Sequence, residues 1–273
     1  MKNISVITAV FNEETRIENL IKCFSWSDDL IIVDKSSTDK TEEIIKKYIS
    51  PTIHFENIPY TESPVPIHEI INNKAKNDWV MLITASGLID PGLVDIIHDT
   101  IYSNNFNYSE VWVPYKMYAF GIYSKHSPWF SEYKPLVFKK DSLIIQDKVH
   151  EEIRTNGKKY TITDNSHGYY YHLTHRNLDI FYERHIRYAY LEANKYNDPI
   201  SAKKITFNHI KNSIKNLFMI RKCFKLGWDG IALALGYISY RIMVYLSIWQ
   251  KFNKKGEKTY LNITNDVLKK WEK

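Results

Sequence analysis

Cysteine is scarce in this chain: Cys23 and Cys223 are its only two in 273 residues. They stand far apart and have no metal-ligand spacing, which excludes a disulfide framework and a compact zinc module. They read as reduced thiols of a cytosolic protein. An apolar leader is missing too, since MKNISVITAV continues directly into a strand pattern and reads as no signal peptide. No targeting motif stands out. Charge of one sign is in short excess: 37 Lys and Arg against 31 Asp and Glu give a formal net charge of +6. That imbalance suits an anionic substrate, a membrane surface, a nucleic acid or a plain lysine-rich surface, and selects none of them. What is abundant is apolar surface, and a hydrophobic share of 44% excludes a disordered chain. The length holds one large domain, or one domain with a smaller appendage.

The first half alternates strand and helix patterns. Residues 3–10 (NISVITAV) and 29–33 (DLIIV) are short apolar runs of the kind buried on both faces of a sheet. Between them, Ile17, Leu20, Ile21 and Phe24 repeat at helical spacing within a helix expected over 13–24. Thr38 and Asp39 offer cap chemistry for a helix to about Tyr48. A further helix is expected over 66–76, then a strand over 78–84 (DWVMLIT), with Pro91 in the first turn of the next helix. Such alternation predicts an α/β fold with a mainly parallel sheet flanked by helices. From 109 to 172, aromatic runs such as EVWVPYKMY, YKPLVFKK and KKYTITD read as antiparallel additions to that sheet.

After His172 the pattern is helical. A long helix is expected over 178–196, then basic helices to about 224, then the apolar segment 231–250 (IALALGYISYRIMVYLSIWQ). That segment is nearly long enough to span a bilayer, but Arg241 at its centre would be costly there. Lysines and arginines flank it on both sides, so it reads either as an in-plane helix at a membrane interface or as a core helix. The division expected is a domain over 1–175 and a helical region over 176–273.

Ligands of open α/β sheets bind beyond the carboxyl ends of the strands. Three such ends are legible here: TAVFNEE from Thr8, VDKSSTDKT from Val33, and LITASG from Leu82. Taken in order, these segments resemble the first half of the family 2 glycosyltransferases, of the GT-A (Rossmann-like) fold. The likeness is greatest to a branch resembling lipopolysaccharide-core glucosyltransferases. WFSEYKPLVFKK before KVHEEI, YHLTHRNLDIFYERHIRYAYLEA, and the apolar C-terminal segment agree with that branch, so the resemblance covers most of the chain.

The resemblance implies an inverting sugar transfer from a nucleotide-sugar, a UDP-sugar by preference, to a saccharide or lipid-linked acceptor. The cytoplasmic side of a membrane would be its place. Asp34 would meet the uracil or ribose, although it could also cap the turn that follows. Thr8, Ala9 and Glu13 would line the nucleotide pocket by position. Glu13 could equally be a first-turn carboxylate favoured by the helix dipole. Glu151 would be the base that deprotonates the acceptor, with Glu152 as substitute and His150 facing the diphosphate. His172 and Lys35 are candidates for holding the diphosphate. His68 stands near the family's position for a basic residue.

At one point the sequence departs from the family. Members carry an Asp-x-Asp type motif after the third strand to hold a divalent cation. Here the nucleotide-side positions are Thr84, Ala85, Ser86 and Gly87, so the Mg or Mn site is read as lost. Asp90 is near but wrongly spaced, and a zinc site built on His150 and His172 matches no compact motif. The departure leaves three readings: a metal-independent transferase, use of a different donor, or an inactive nucleotide-sugar or glycan-binding protein. The charge and the aromatic stretch 108–133 also permit a nucleic acid as acceptor, since rings stack on bases and sugars alike.

Overall fold

Uninterrupted β-branched and apolar runs with no polar alternation form strands that water reaches on neither face, and the first two strands are of this kind. β1 (Lys2–Val10) and β2 (Ser27–Asp34) bury Ile4, Val6, Ile7 and Val10 and Leu30, Ile31, Ile32 and Val33. The structure is a computed structural model and describes residues 2–61, 63–144, 154–253 and 255–271. Between the two strands α1 (Ile17–Phe24) turns Ile17, Leu20, Ile21 and Phe24 inward, and each such side chain contributes about 1.5–3 kcal/mol by leaving water. This helix begins at Ile17 and not at Glu13. The preceding residues form a tight turn, in which the Glu13 carbonyl accepts from the backbone N–H of Arg16 and Ile17.

The chain continues through α2 (Thr41–Lys46), β3 (Ile53–Asn57), α3 (Val65–Lys74), β4 (Trp79–Thr84), β5 (Gly87–Ile89) and α4 (Pro91–Ile101). β6 (Glu110–Ala119), β7 (Tyr133–Lys139), β8 (Leu143–Ile144), β9 (Arg154–Thr155), β10 (Lys159–Thr161) and β11 (Tyr170–Thr174) follow. The sheet runs β3-β2-β1-β4-β7-β6-β11-β5, with β10 also on β6 and β8–β9 as a separate pair. Strands β1 to β4 are mutually parallel, and β7 enters antiparallel between β4 and β6. The expectation of antiparallel additions holds for β6 and β7 but fails for two others. Both β10 and β11 run parallel to β6, because each reaches it by a long connection and not by a hairpin. β5 then pairs antiparallel with β11, so the sheet curls back towards the end of β4.

Two compact units are present. One comprises Met1–Tyr123 with Trp129–Thr174, and the other Ser124–Pro128 with His175–Lys273. The second is helical, with α5 (Leu178–Asn194), α6 (Pro199–Lys215), α7 (Gly227–Phe252) and α8 (Lys255–Trp271). Asn177 starts α5 by accepting from the Ile180 N–H at 3.0 Å. At its other end, Lys251 Nζ donates to the carbonyls of Ala193, Asn194 and Tyr196 at 3.3, 3.2 and 2.5 Å, neutralising the negative end of the helix.

Ala189 and Ala193 pack with Val244 and Ile248, and Arg241 turns inward to Glu192 at 3.4 Å. One face of α7 is therefore core. Along the opposite stripe Trp228, Leu235, Ile242, Leu246 and Trp249 are exposed. By length and composition the stretch Cys223–Phe252 could cross a membrane.

His175 and His185 lie ring to ring at 4.9 Å in this unit. Burial, then the nearby His185 and Arg184, hold His175 down to about 3, and burial lowers His185 in the same direction. Above the unfolded value near 6.5 both are neutral in either state, and their share of stability is complete. As pH falls below 6.5, the unfolded chain takes up protons that the folded chain refuses, so stability is lost from there down towards 3. Thermal melts should show a loss of roughly 1–2 kcal/mol between pH 7.5 and pH 5. The His175→Asn variant, whose side chain tolerates the positive φ at this position, should lose less. An equal loss in both proteins would contradict this account.

Candidate active site

The carboxyl edge of the parallel strands is level. Ala9 stands between Val33 on β2 and Thr84 on β4, and Val10 stands opposite Asp34. Beyond this edge two loops clasp one another. Asn12, in the left-handed region at φ 54°, donates its N–H to Ser37 Oγ at 2.9 Å. Its side-chain oxygen accepts from the Thr38 N–H at 2.8 Å. Glu14 accepts from the Lys40 N–H at 3.0 Å, while its own N–H donates to Asp39 at 3.1 Å. Asp39 also accepts from the N–H and hydroxyl of Thr41, at 3.0 and 2.5 Å, and so tightens the start of α2.

Within this clasp Asp34 is fully buried. Its carboxylate accepts from Ser37 Oγ at 2.5 Å and from the Ser37 N–H at 3.2 Å. It therefore caps the following turn, one of the two roles open to it. A carboxylate has about four acceptor sites, so lone pairs remain for a ligand once the groups covering Asp34 move aside. Thr8 is buried, and its hydroxyl has no partner among the described residues. Ala9 is half-buried. Glu13 is buried and ion-paired with Arg16, while its N–H donates to Thr41 Oγ1 at 2.7 Å. Phe11 and Tyr60 meet edge to face at 4.6 Å just beyond these strand ends.

Lys35 directs its ammonium to the Thr61 carbonyl at 2.7 Å. His68 lies on α3 beside Asn72 at 3.2 Å. Asp90 accepts from the Tyr169 N–H and the Tyr171 hydroxyl at 2.8 and 3.0 Å, which pins β11 to the start of α4. His150, Glu151 and Glu152 lie outside the described residues.

The end of β4 is built with aromatic rings behind it. Thr84 and Ser86 bring their hydroxyls to 3.4 Å, and the Thr84 N–H points at the Tyr170 hydroxyl at 3.5 Å. His172 sits opposite Gly87 in the β5–β11 ladder. Its Nδ1 meets the Tyr115 hydroxyl at 2.8 Å. Tyr115 and Tyr170 stack at 6.0 Å, and burial keeps both phenols protonated well above the usual tyrosine range.

Of these rings the sequence marks His172 as a diphosphate candidate and Tyr115 only as one member of the aromatic stretch 108–133, and it leaves Tyr170 unmarked. Tyr115 and Tyr170 look like ordinary members of an aromatic-rich stretch until the curl of the sheet brings them together. The fit to a divalent cation is poor. Residues 84–87 offer hydroxyls and no carboxylate, a weak donor set for Mg²⁺ or Mn²⁺. Among the described residues no group of three His, Cys, Asp or Glu side chains converges.

Comparison with known proteins places this edge in context. Residues 5–169 match the family model described as Glycosyl transferase family 2. Among solved structures, the fragment 1–349 of S. aureus TarS in complex with UDP-GlcNAc is similar in fold. The TM-score is 0.50 at 14% identity, over 92% of this chain and 91% of that one. A longer S. aureus TarS chain gives a TM-score of 0.48 at 15% identity over 92% of this chain, which spans 55% of that one.

Gly87 tests the packing of this corner. A Cβ added there would collide with the hydroxyl and ring of Tyr170. Gly87→Ala should cost roughly 1–3 kcal/mol of stability in denaturant melts, the range for overpacking. Combining it with Tyr170→Leu should remove most of the added penalty, seen as coupling in a double-mutant cycle. A cost under about 0.5 kcal/mol, or strict additivity, would mean that the two are not in contact.

Proposed function

The chain belongs to glycosyl transferase family 2, and from that premise we propose that it moves a sugar from a uridine-diphosphate sugar to a saccharide or lipid-linked hydroxyl. The transfer proceeds with inversion and without a divalent cation. The observation that carries this reading is the buried Asp34 carboxylate at the common edge of β1, β2 and β4. An acceptor at that depth suits the imide of uracil or a ribose hydroxyl. The fold relative TarS is complexed with UDP-GlcNAc, which supports the uridine class. Thr84 and Ser86 then face the phosphates, with His172 beside them.

Inverting transfer needs one base. Glu151 takes the acceptor's proton as its oxygen attacks the anomeric carbon, and the bond to the diphosphate breaks on the opposite side. Half-buried Tyr118, Tyr123 and Phe130 form a ring cluster in the same unit, a surface suited to stacking on an acceptor sugar. The exposed apolar stripe of α7, with lysines around it, supports peripheral attachment at the cytoplasmic face of a membrane, where a lipid-linked acceptor would be met.

Nucleotide titration and turnover test the reading together. Asp34→Ala should weaken UDP binding by roughly 1–3 kcal/mol, the range for a hydrogen bond to a charged group. Glu151→Gln should stop turnover while UDP affinity stays within about threefold. Turnover of the unaltered chain should survive EDTA. No UDP binding at millimolar concentration contradicts the uridine assignment; full activity of Glu151→Gln removes that base; and EDTA-sensitive turnover contradicts metal independence.

A further inference from the structure

A diphosphate leaving group gains negative charge as its bond to the sugar breaks, and a transferase must place positive charge or donors where that charge develops. Residues 84–87 do not supply it. Several cations of the unit are already engaged: Lys35 with the Thr61 carbonyl, Arg16 with Glu13, and Lys116 over the face of Tyr169 at 3.6 Å. Lys134 differs from them. It is the second residue of β7, opposite Val113 on β6. On its other side β7 pairs antiparallel with β4, with Met81 opposite Val137. That ladder ends at Met81 and Val137, and β7 is irregular against β6 between Val137 and Pro135, so ring contacts and not a register place Lys134.

The surroundings of its ammonium are aromatic. The Lys134 ammonium lies 5.4 Å from the centre of the Tyr115 ring and 5.9 Å from that of Tyr170. Those two rings end in the hydroxyls that meet His172 and the Thr84 N–H. The cation thus sits among the groups that frame the turn from β4 to β5.

No hydrogen bond or ion pair joins its ammonium to a described residue, so ring faces are its partners there. Ring faces satisfy a cation only partly, and a desolvated charge without an anion is costly. Burial accordingly lowers the Lys134 pKa. The residue is half-buried, not sealed, and a lysine can keep its stem covered while its charged head turns to a ligand.

We propose that Lys134 is a catalytic residue whose ammonium contacts the leaving diphosphate and supplies the charge that residues 84–87 do not hold a metal ion to supply. The assignment rests on the sugar-transfer reading above. In the step it serves, the acceptor oxygen bonds to the anomeric carbon and its proton passes to the base. The bond from that carbon to the diphosphate oxygen breaks, and the oxygen keeps the electron pair beside the ammonium.

Calorimetry with uridine and UDP in EDTA-containing buffer tests this, because the difference between the two ligands isolates the diphosphate. The unaltered chain should bind UDP at least about tenfold more tightly than uridine, the scale of a charge-assisted contact. Lys134→Met should bring the two within about threefold, Lys134→Arg should keep most of the difference, and uridine affinity should be the same in all three. An unchanged UDP preference in Lys134→Met overturns the proposal. If that variant loses uridine binding as well, labelling of the unaltered chain decides. UDP, and not uridine, should shield Lys134 from acetic anhydride, and equal labelling under both overturns the proposal. A chain that binds neither ligand overturns the sugar-transfer reading itself, and the role of Lys134 with it.

Discussion

The carboxyl edge of β1, β2 and β4 depends on a clasp between two loops, made almost wholly of backbone N–H groups and short polar side chains. Asn12 bridges to Ser37 and Thr38, Glu14 to Lys40, and Asp39 to Glu14 and Thr41. Each bond contributes about 0.5–1.5 kcal/mol, and those to the Glu14 and Asp39 carboxylates up to about 3 kcal/mol. Their joint effect is geometric, since they fix where the chain leaves two strands whose register is already set by burial on both faces. Asp34 owes its depth to that register, and Ser37 owes its place against Asp34 to the clasp.

The far side of the edge is closed by a different device. β5 follows β4 after two residues and pairs with β11, so His172 is carried to Gly87 by a ladder and not by a loop. Tyr170 and Tyr115 fill the space behind, and no larger residue than glycine fits at 87 against the Tyr170 ring. The consequence for chemistry is local. The corner presents hydroxyls, an imidazole and, behind them, the Lys134 ammonium, a set that suits phosphate oxygens better than a hard metal ion.

Much of this was legible in the sequence, for physical reasons that differ from residue to residue. Asp34 stands out because it ends a run of four apolar residues, and a carboxylate at such a place needs partners. The helices α1 and α4 follow from the spacing of their apolar residues and from Pro91. The parallel placement of β10 and β11 was not legible, since pairing partners far apart in sequence are chosen by the closure of the sheet. β3 (IHFEN) mixes polar and apolar residues because it is an edge strand, and so gives a weak signal. Lys134 was hidden because a lysine between Tyr133 and Pro135 reads as a solvent-facing strand residue. Only the curl that brings β7 between β4 and β6 reveals what it faces. His172 was named through family resemblance alone, and its contact with Tyr115 has no counterpart in sequence spacing.

The central claim is that this edge binds a nucleoside diphosphate with the protein's own cations in place of a divalent one. Crystals soaked with UDP and Mn²⁺, measured at a wavelength where manganese scatters anomalously, test it directly. The account predicts uracil or ribose density at Asp34, diphosphate density between Ser86, His172 and Lys134, and no anomalous peak bridging the phosphates. A manganese peak coordinated by the diphosphate and the residues of this corner would contradict it.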